Sequence, residues 1–235
     1  MSTRPLLEVD GLGLRTPSGP VFTDLSFTVP RGALTAVVGP SGSGRSALLL
    51  ALGGRVRGLT GTVRLGERSL RSRPRDLRVR TAVARLGTLV QPEGRLTVGE
   101  SITERALVDG VPDRVAAAAV ARAEEVLGTT SDRSALVDEL SAYDRALLCV
   151  GLALVRPADL VLLDDADRAL DLADQRRLLE ALARLCAAGQ TLVVSTTEAA
   201  SLPPGTHVVE LRPTAPAAAP TAVPAPDPTS PEKTS

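Results

Sequence analysis

Apolar and polar residues alternate along Leu6-Leu-Glu-Val-Asp10 and again along Val21–Val29, with glycine, proline and serine between the two runs. A two-residue period of this kind predicts a pair of half-buried antiparallel strands. Pro30-Arg-Gly32 reads as a turn, and Leu34-Thr-Ala-Val-Val38 after it as a short, fully buried strand. Ala47-Leu-Leu-Leu-Ala51 predicts a helix, and Gly61-Thr-Val-Arg-Leu-Gly66 a further short strand. Residues 67–82 are crowded with arginine and lack a clear period, so a solvated connector is expected there. Ala84–Val90 is a strand candidate that delivers Gln91-Pro92.

From Val98 to Leu127 the spacing becomes helical, most clearly over Val115–Leu127, and Gly128 is a plausible stop. Leu140-Ser141 opens a second stretch rich in helix formers that runs to about Val155, with Ser141 as its N-cap and Arg156-Pro157 as its end. The chain then returns to strand and helix in turn. Leu160–Leu163 is a buried strand ending at Asp164-Asp165, Ala173–Ala187 a helix, Thr191–Ser195 a strand, and Val208–Leu211 a last strand. The pattern is an α/β core interrupted by a helical insertion. Beyond Arg212 the composition collapses to proline, alanine, threonine and serine, so residues 213–235 are expected to form a disordered tail.

Charge and composition narrow the chemistry. Lysine plus arginine and aspartate plus glutamate number 27 each, which removes the electrostatic case for a nucleic-acid partner. Lys233 is the only lysine and His207 the only histidine, while Cys149 and Cys186 form no C-x-x-C pair. Zinc sites and histidine-based triads therefore lack raw material, and both cysteines read as small buried hydrophobes. No apolar targeting segment opens the chain and no run reaches the roughly 20 residues that span a bilayer. A cytoplasmic chain with no direct membrane insertion is expected, any membrane association coming through a partner.

One stretch carries chemistry. Gly39-Pro-Ser-Gly-Ser-Gly-Arg-Ser46 lies between the strand ending at Val38 and the helix opening at Ala47. Gly39, Gly42 and Gly44 let the backbone wrap an anion, Pro40, Ser41 and Ser43 complete the loop, and the following helix offers its N-terminal amides. The spacing fits G-x-x-x-x-G-K-[ST] with Ser46 in place, except that Arg45 stands where the motif has lysine. A polyphosphate belongs there.

With that loop as the first landmark, residues 4–212 resemble the ATP-binding subunit of ABC transporters. Gly39–Ser46 matches Walker A, Gln91 the Q-loop, Leu140-Ser-Ala-Tyr-Asp144 the LSGGQ signature, Leu160–Asp164 Walker B, and Ala169-Leu-Asp171 the D-loop. Val194-Ser-Thr-Thr-Glu198 lies where the family carries a switch histidine. The resemblance implies an α/β P-loop NTPase fold of ABC ATPase type. That fold has a RecA-like core, an N-terminal antiparallel β subdomain and an α-helical subdomain inserted at about 94–156. It implies ATP and Mg²⁺ as cofactors, Ser46, Gln91 and Asp164 at the metal, and Gln91 and Ser141 at the nucleotide. Asp165 and Thr197, or Thr196 if the register slips by one, would stand in the catalytic positions. Two such subunits would pack head to tail and dock on transmembrane subunits at the cytoplasmic face of the membrane.

The departures weigh on hydrolysis rather than on binding. Arg45 spreads the lysine charge over a larger planar fork, Asp165 is a methylene shorter than the family's glutamate, and Thr197 cannot carry the charge of a histidine. Ala142 and Tyr143 replace the paired glycines of the signature, and Leu14 or Arg15 must serve where the family stacks adenine on an aromatic ring. Two readings follow: an ATP-binding transporter subunit with weak or lost hydrolysis, or a scaffold of the same fold that no longer binds nucleotide.

Overall fold

The computed structural model describes residues 5–66, 68–69, 74–87 and 89–213. The tail expected beyond Arg212 thus lies outside the described residues except for Pro213. In chain order the elements are β1 (Leu7–Thr16), β2 (Gly19–Val29), β3 (Leu34–Val38), α1 (Arg45–Leu52), β4 (Leu59–Leu65), β5 (Arg68–Ser69), α2 (Pro74–Arg80) and β6 (Thr81–Arg85). They continue with α3 (Val98–Asp109), α4 (Asp113–Leu127), a single 3₁₀ turn (Val137–Glu139), α5 (Ala142–Ala153), β7 (Leu160–Leu163), α6 (Leu172–Ala187), β8 (Thr191–Thr196) and β9 (His207–Glu210).

Two sheets divide the strands. An antiparallel sheet has the order β2-β1-β4-β5, and a parallel sheet the order β6-β7-β8-β3-β9. Each strand of the parallel sheet sends alternate residues to opposite faces, so both faces must be covered. Leu160 and Leu162 of β7 pack with α1 and the antiparallel sheet, while Val161 and Leu163 pack with α5 and α6. A third apolar cluster, built on Val98, Ile102, Val120 and Leu148, joins α3, α4 and α5 into the inserted helical layer.

Two expectations need correction. The arginine-rich stretch is not all solvated connector: it holds α2, anchored by the fully buried Leu77, and the start of β6. The strand expected over Ala84–Val90 lies instead at Thr81–Arg85, and Leu86 and Val90 form only an isolated antiparallel bridge. Arginines hid it, because Arg80 just before the strand and the buried Arg85 at its end interrupt the apolar period. Arg80 pairs with Asp159 at 2.5 Å and donates to the Leu65 carbonyl at 2.9 Å. Smaller differences concern ends. The helix expected over Val98–Leu127 breaks where Gly110 turns left-handed (φ 66°) before Pro112, and α5 stops at Ala153, ahead of Arg156-Pro157.

The helical layer carries its own electrostatic tie. Glu124 on α4 is 8% exposed and accepts from both terminal nitrogens of Arg133 at 2.6 and 2.5 Å and from the Ser131 amide at 3.3 Å. Burial pushes its carboxyl up, but the bonds from Arg133 and Ser131 outweigh that and hold it below its ordinary value. A depressed folded-state pKa means the contribution is present above the unfolded-state pKa and is lost as pH falls through the folded one. Arg133→Met is expected to cost about 1.5 kcal/mol at neutral pH, since it strands a buried carboxylate beside a partly exposed partner. Chemical denaturation should show this gap narrowing in acid.

Candidate functional site

The adjacency of β7, β8 and β3 in the parallel sheet brings their C-terminal ends side by side. β3 runs out at Val38, and the Gly39 amide donates to the Thr196 carbonyl at the end of β8 (3.3 Å). Gly39 must be glycine, because a Cβ there would lie 2.2 Å from the Leu211 carbonyl oxygen. The loop then tightens: the Ser43 amide donates to the Pro40 carbonyl at 3.1 Å, and Gly42 and Gly44 take left-handed φ values of 80° and 94°. α1 starts at Arg45 without a side-chain cap, which leaves its first amides for an anion. Ser41 and Ser46 are exposed and Ala47 is half-buried, whereas Ser43 is buried with its hydroxyl unpartnered.

Arg45 does not point away from this loop. It is 8% exposed, its Nη1 donates to the Gly39 carbonyl, and its Nη2 pairs with Asp165 Oδ1 at 2.9 Å. The two departures from the expected motif residues therefore meet each other. Asp165 sits at φ 47°, a conformation uncommon outside glycine, and is fixed there by its amide bond to Ser195 Oγ at 2.7 Å.

Asp164, at the end of β7, is fully buried. Its Oδ1 accepts from Ser195 Oγ at 2.5 Å, and its Oδ2 is buried without a partner. Thr197, just past β8, donates its amide (2.7 Å) and its hydroxyl to Asp167 Oδ2. Burial raises the Asp167 carboxyl, but those two bonds and the nearby Arg45 charge leave it below its ordinary value. A hydroxyl tied to a carboxylate in this way is not free to donate elsewhere.

Gln91 and Ser141 share no hydrogen bond with the loop among the described residues. Gln91 is exposed and lines a cavity with Arg85, Arg145 and Arg168. Ser141 caps α5 as expected, accepting from the Asp144 amide at 3.0 Å and donating to Asp144 Oδ2 at 2.6 Å. The Tyr143 ring turns toward α6, where the Arg177 guanidinium sits 4.4 Å from its centroid. Leu14 is buried in the core, which leaves exposed Arg15 as the only one of the two residues named for the base that is open to a ligand.

Three contributors escaped the sequence reading: Ser195, Asp167 and Arg85. Arg85, at the end of β6, donates to the Asp164 carbonyl (3.2 Å) and the Asp165 carbonyl (2.5 Å), so it braces the segment that carries both carboxylates. No motif flags it, because it lies inside the misplaced strand.

These residues fit a magnesium-bound triphosphate. An orphaned carboxylate oxygen on Asp164 and an open hydroxyl on Ser46 suit a hard cation that takes oxygen ligands. No group of three or more His, Cys, Asp or Glu side chains able to hold a metal exists among the described residues, so such a cation would share its ligands with the phosphates. The glycine loop and uncapped helix suit the phosphates themselves, with Arg45 exchanging the Asp165 carboxylate for a phosphate oxygen.

The family described as "ABC transporter" matches residues 22–168. The cobalt import ATP-binding protein CbiO of Rhodobacter capsulatus is 33% identical over 197 residues, 82% of this chain and 70% of that protein. An ABC transporter ATP-binding/permease protein of Mycobacterium tuberculosis is 31% identical over 175 residues, 73% of this chain but only 20% of that protein. Among solved structures, cbiO1 of Clostridium perfringens, described as part of the ABC transporter complex cbiONQ, superposes with a TM-score of 0.70 at 18% identity, covering 83% of this chain and 79% of that one.

Proposed function

The chain belongs to the ABC transporter family as an ATP-binding subunit, and on that premise we propose that it binds ATP-Mg²⁺ and hydrolyses it slowly or not at all. Nucleotide then acts as a clamp: its binding favours association with a second ABC subunit, and that closure is passed to transmembrane partners. Residues 4–212 form the binding domain and about 94–156 its helical arm. Among the described residues no helix is long and apolar enough to cross a membrane, so the reading places the chain peripherally, against its permease partners.

The observation that carries this reading is the Arg45–Asp165 ion pair at 2.9 Å. A carboxylate meant to orient an attacking water is here engaged by a guanidinium, which occupies the oxygen that would accept from that water and turns it into the loop. Arg45, for its part, is a positive group already inside the cradle, ready to take a phosphate in place of Asp165. Binding chemistry is retained and cutting chemistry is diverted.

Purified protein is expected to bind ATP-Mg²⁺ saturably, with a thermal midpoint that rises with nucleotide, and to show turnover no higher than a Ser46→Ala control. Brisk hydrolysis by the unaltered chain would overturn the clamp. Absence of any nucleotide-dependent stabilisation would favour the scaffold.

A further inference from the structure

Arginines in this chain are commonly matched to a carboxylate. Arg80 with Asp159, Arg105 with Asp109, Arg133 with Glu124 and Arg177 with Asp174 all pair at 2.5 to 2.7 Å. Several arginines depart from this pattern, and three of them converge. Arg85, Arg145 and Arg168 line one cavity of about 240 Å³, and no carboxylate lines it with them.

Their hydrogen bonds run to neutral carbonyls. Arg85 donates to Asp164 and Asp165 main-chain oxygens, Arg168 to that of Gly87 (2.9 Å), and Arg145 to those of Asp138 (3.1 Å) and Leu140 (3.4 Å). A carbonyl satisfies an N–H but leaves the positive charge in place. The carboxylate of Asp138 stands 3.8 Å from Arg145 with its side chain 68% exposed, where water screens it. The Asp165 carboxylate is turned to Arg45 and that of Asp164 to Ser195.

Arg85 is only 6% exposed, and among the described residues Arg145 Nε is buried without a hydrogen-bond partner. Burial and the neighbouring Arg168 charge both work against the Arg85 cation. Cys149, at the cavity wall, does not offset this: burial pushes its thiol up to about 11, so it stays neutral. The Asp164 and Asp165 charges offset part of that cost at Arg85, but three like charges around a common space, one of them desolvated, favour an anion among them.

We infer that this cavity is a binding site for a phosphate dianion, held by Arg85, Arg145 and Arg168 with the Gln91 amide, and distinct from the Gly39–Ser46 loop. The three guanidiniums come from the end of β6, from α5 in the helical layer, and from the loop after β7. An anion among them ties the helical layer to the parallel sheet. The site does not depend on nucleotide being bound at the loop.

The test is thermal unfolding of the full chain in sodium phosphate against sodium chloride at equal ionic strength, with AMP as a further arm. Unaltered protein and Arg45→Ala are expected to gain about 5 °C at saturating phosphate. Arg145→Ala/Arg168→Ala is expected to lose most of that gain, keeping only what the Gly39–Ser46 loop contributes. In chloride the double variant should unfold no lower than the unaltered chain, since repulsion is relieved. Stabilisation by AMP as well as phosphate would mark a nucleotide's phosphate as the source, and stabilisation by phosphate alone the free ion. Equal gains in all three proteins, no gain over chloride, or a gain lost only in Arg45→Ala would overturn the proposal.

Discussion

Asp165→Asn is expected to bind ATP-Mg²⁺ about thirtyfold more tightly than the unaltered chain, or about 2 kcal/mol. In the unliganded protein Asp165 is an intramolecular competitor for the cation that the phosphates need, its Oδ1 lying 2.9 Å from Arg45 Nη2. Any phosphate that takes Arg45 must break that charge-assisted bond and then sit beside a released carboxylate of its own sign. Asparagine keeps the shape and the amide bond to Ser195 but removes both penalties. The gain is held to about 2 kcal/mol because the Asp165 side chain is 31% exposed and partly screened. Titration calorimetry decides it: an affinity unchanged or lowered in Asp165→Asn would mean that the ion pair does not stand between the loop and its ligand.

The same pair marks where local sequence stops determining the site. Gly39, Gly44 and Ser46 announce a phosphate loop because its backbone geometry demands glycine at fixed spacing, and the order of later landmarks gives the fold. Ser141 could be placed as a cap because capping is local to four residues. Contacts across the sheet were another matter. Arg45 and Asp165 are 120 residues apart, and their meeting follows from β3 and β7 flanking β8, a strand order that no single stretch encodes. Ser195 and Asp167 escaped for the same reason, since each acts only through a neighbour on another element. Arg85 was missed through patterning: a strand bounded by arginines has no clean two-residue period, and the connector was read as solvated.

Arg45→Lys combined with Asp165→Glu is expected to raise ATP turnover at least about a hundredfold over the unaltered chain, while either change alone gives little. Lysine presents a compact charge that can reach the phosphates without the planar fork now resting on the Gly39 carbonyl and Asp165 Oδ1. Glutamate restores the missing methylene, and a displacement of about 1 Å in a reacting group is worth on the order of a hundredfold in rate. The singles fail for complementary reasons. With Arg45 kept, the longer carboxylate of Asp165→Glu would still face a guanidinium; with Asp165 kept, the carboxylate would be free but short. Turnover measured against the same double variant carrying Ser46→Ala isolates the loop's contribution. Should the combined variant remain at that background, the block on hydrolysis lies elsewhere, and Ala142 and Tyr143 at the start of α5, where glycines would let the backbone approach a phosphate closely, become the next pair to exchange.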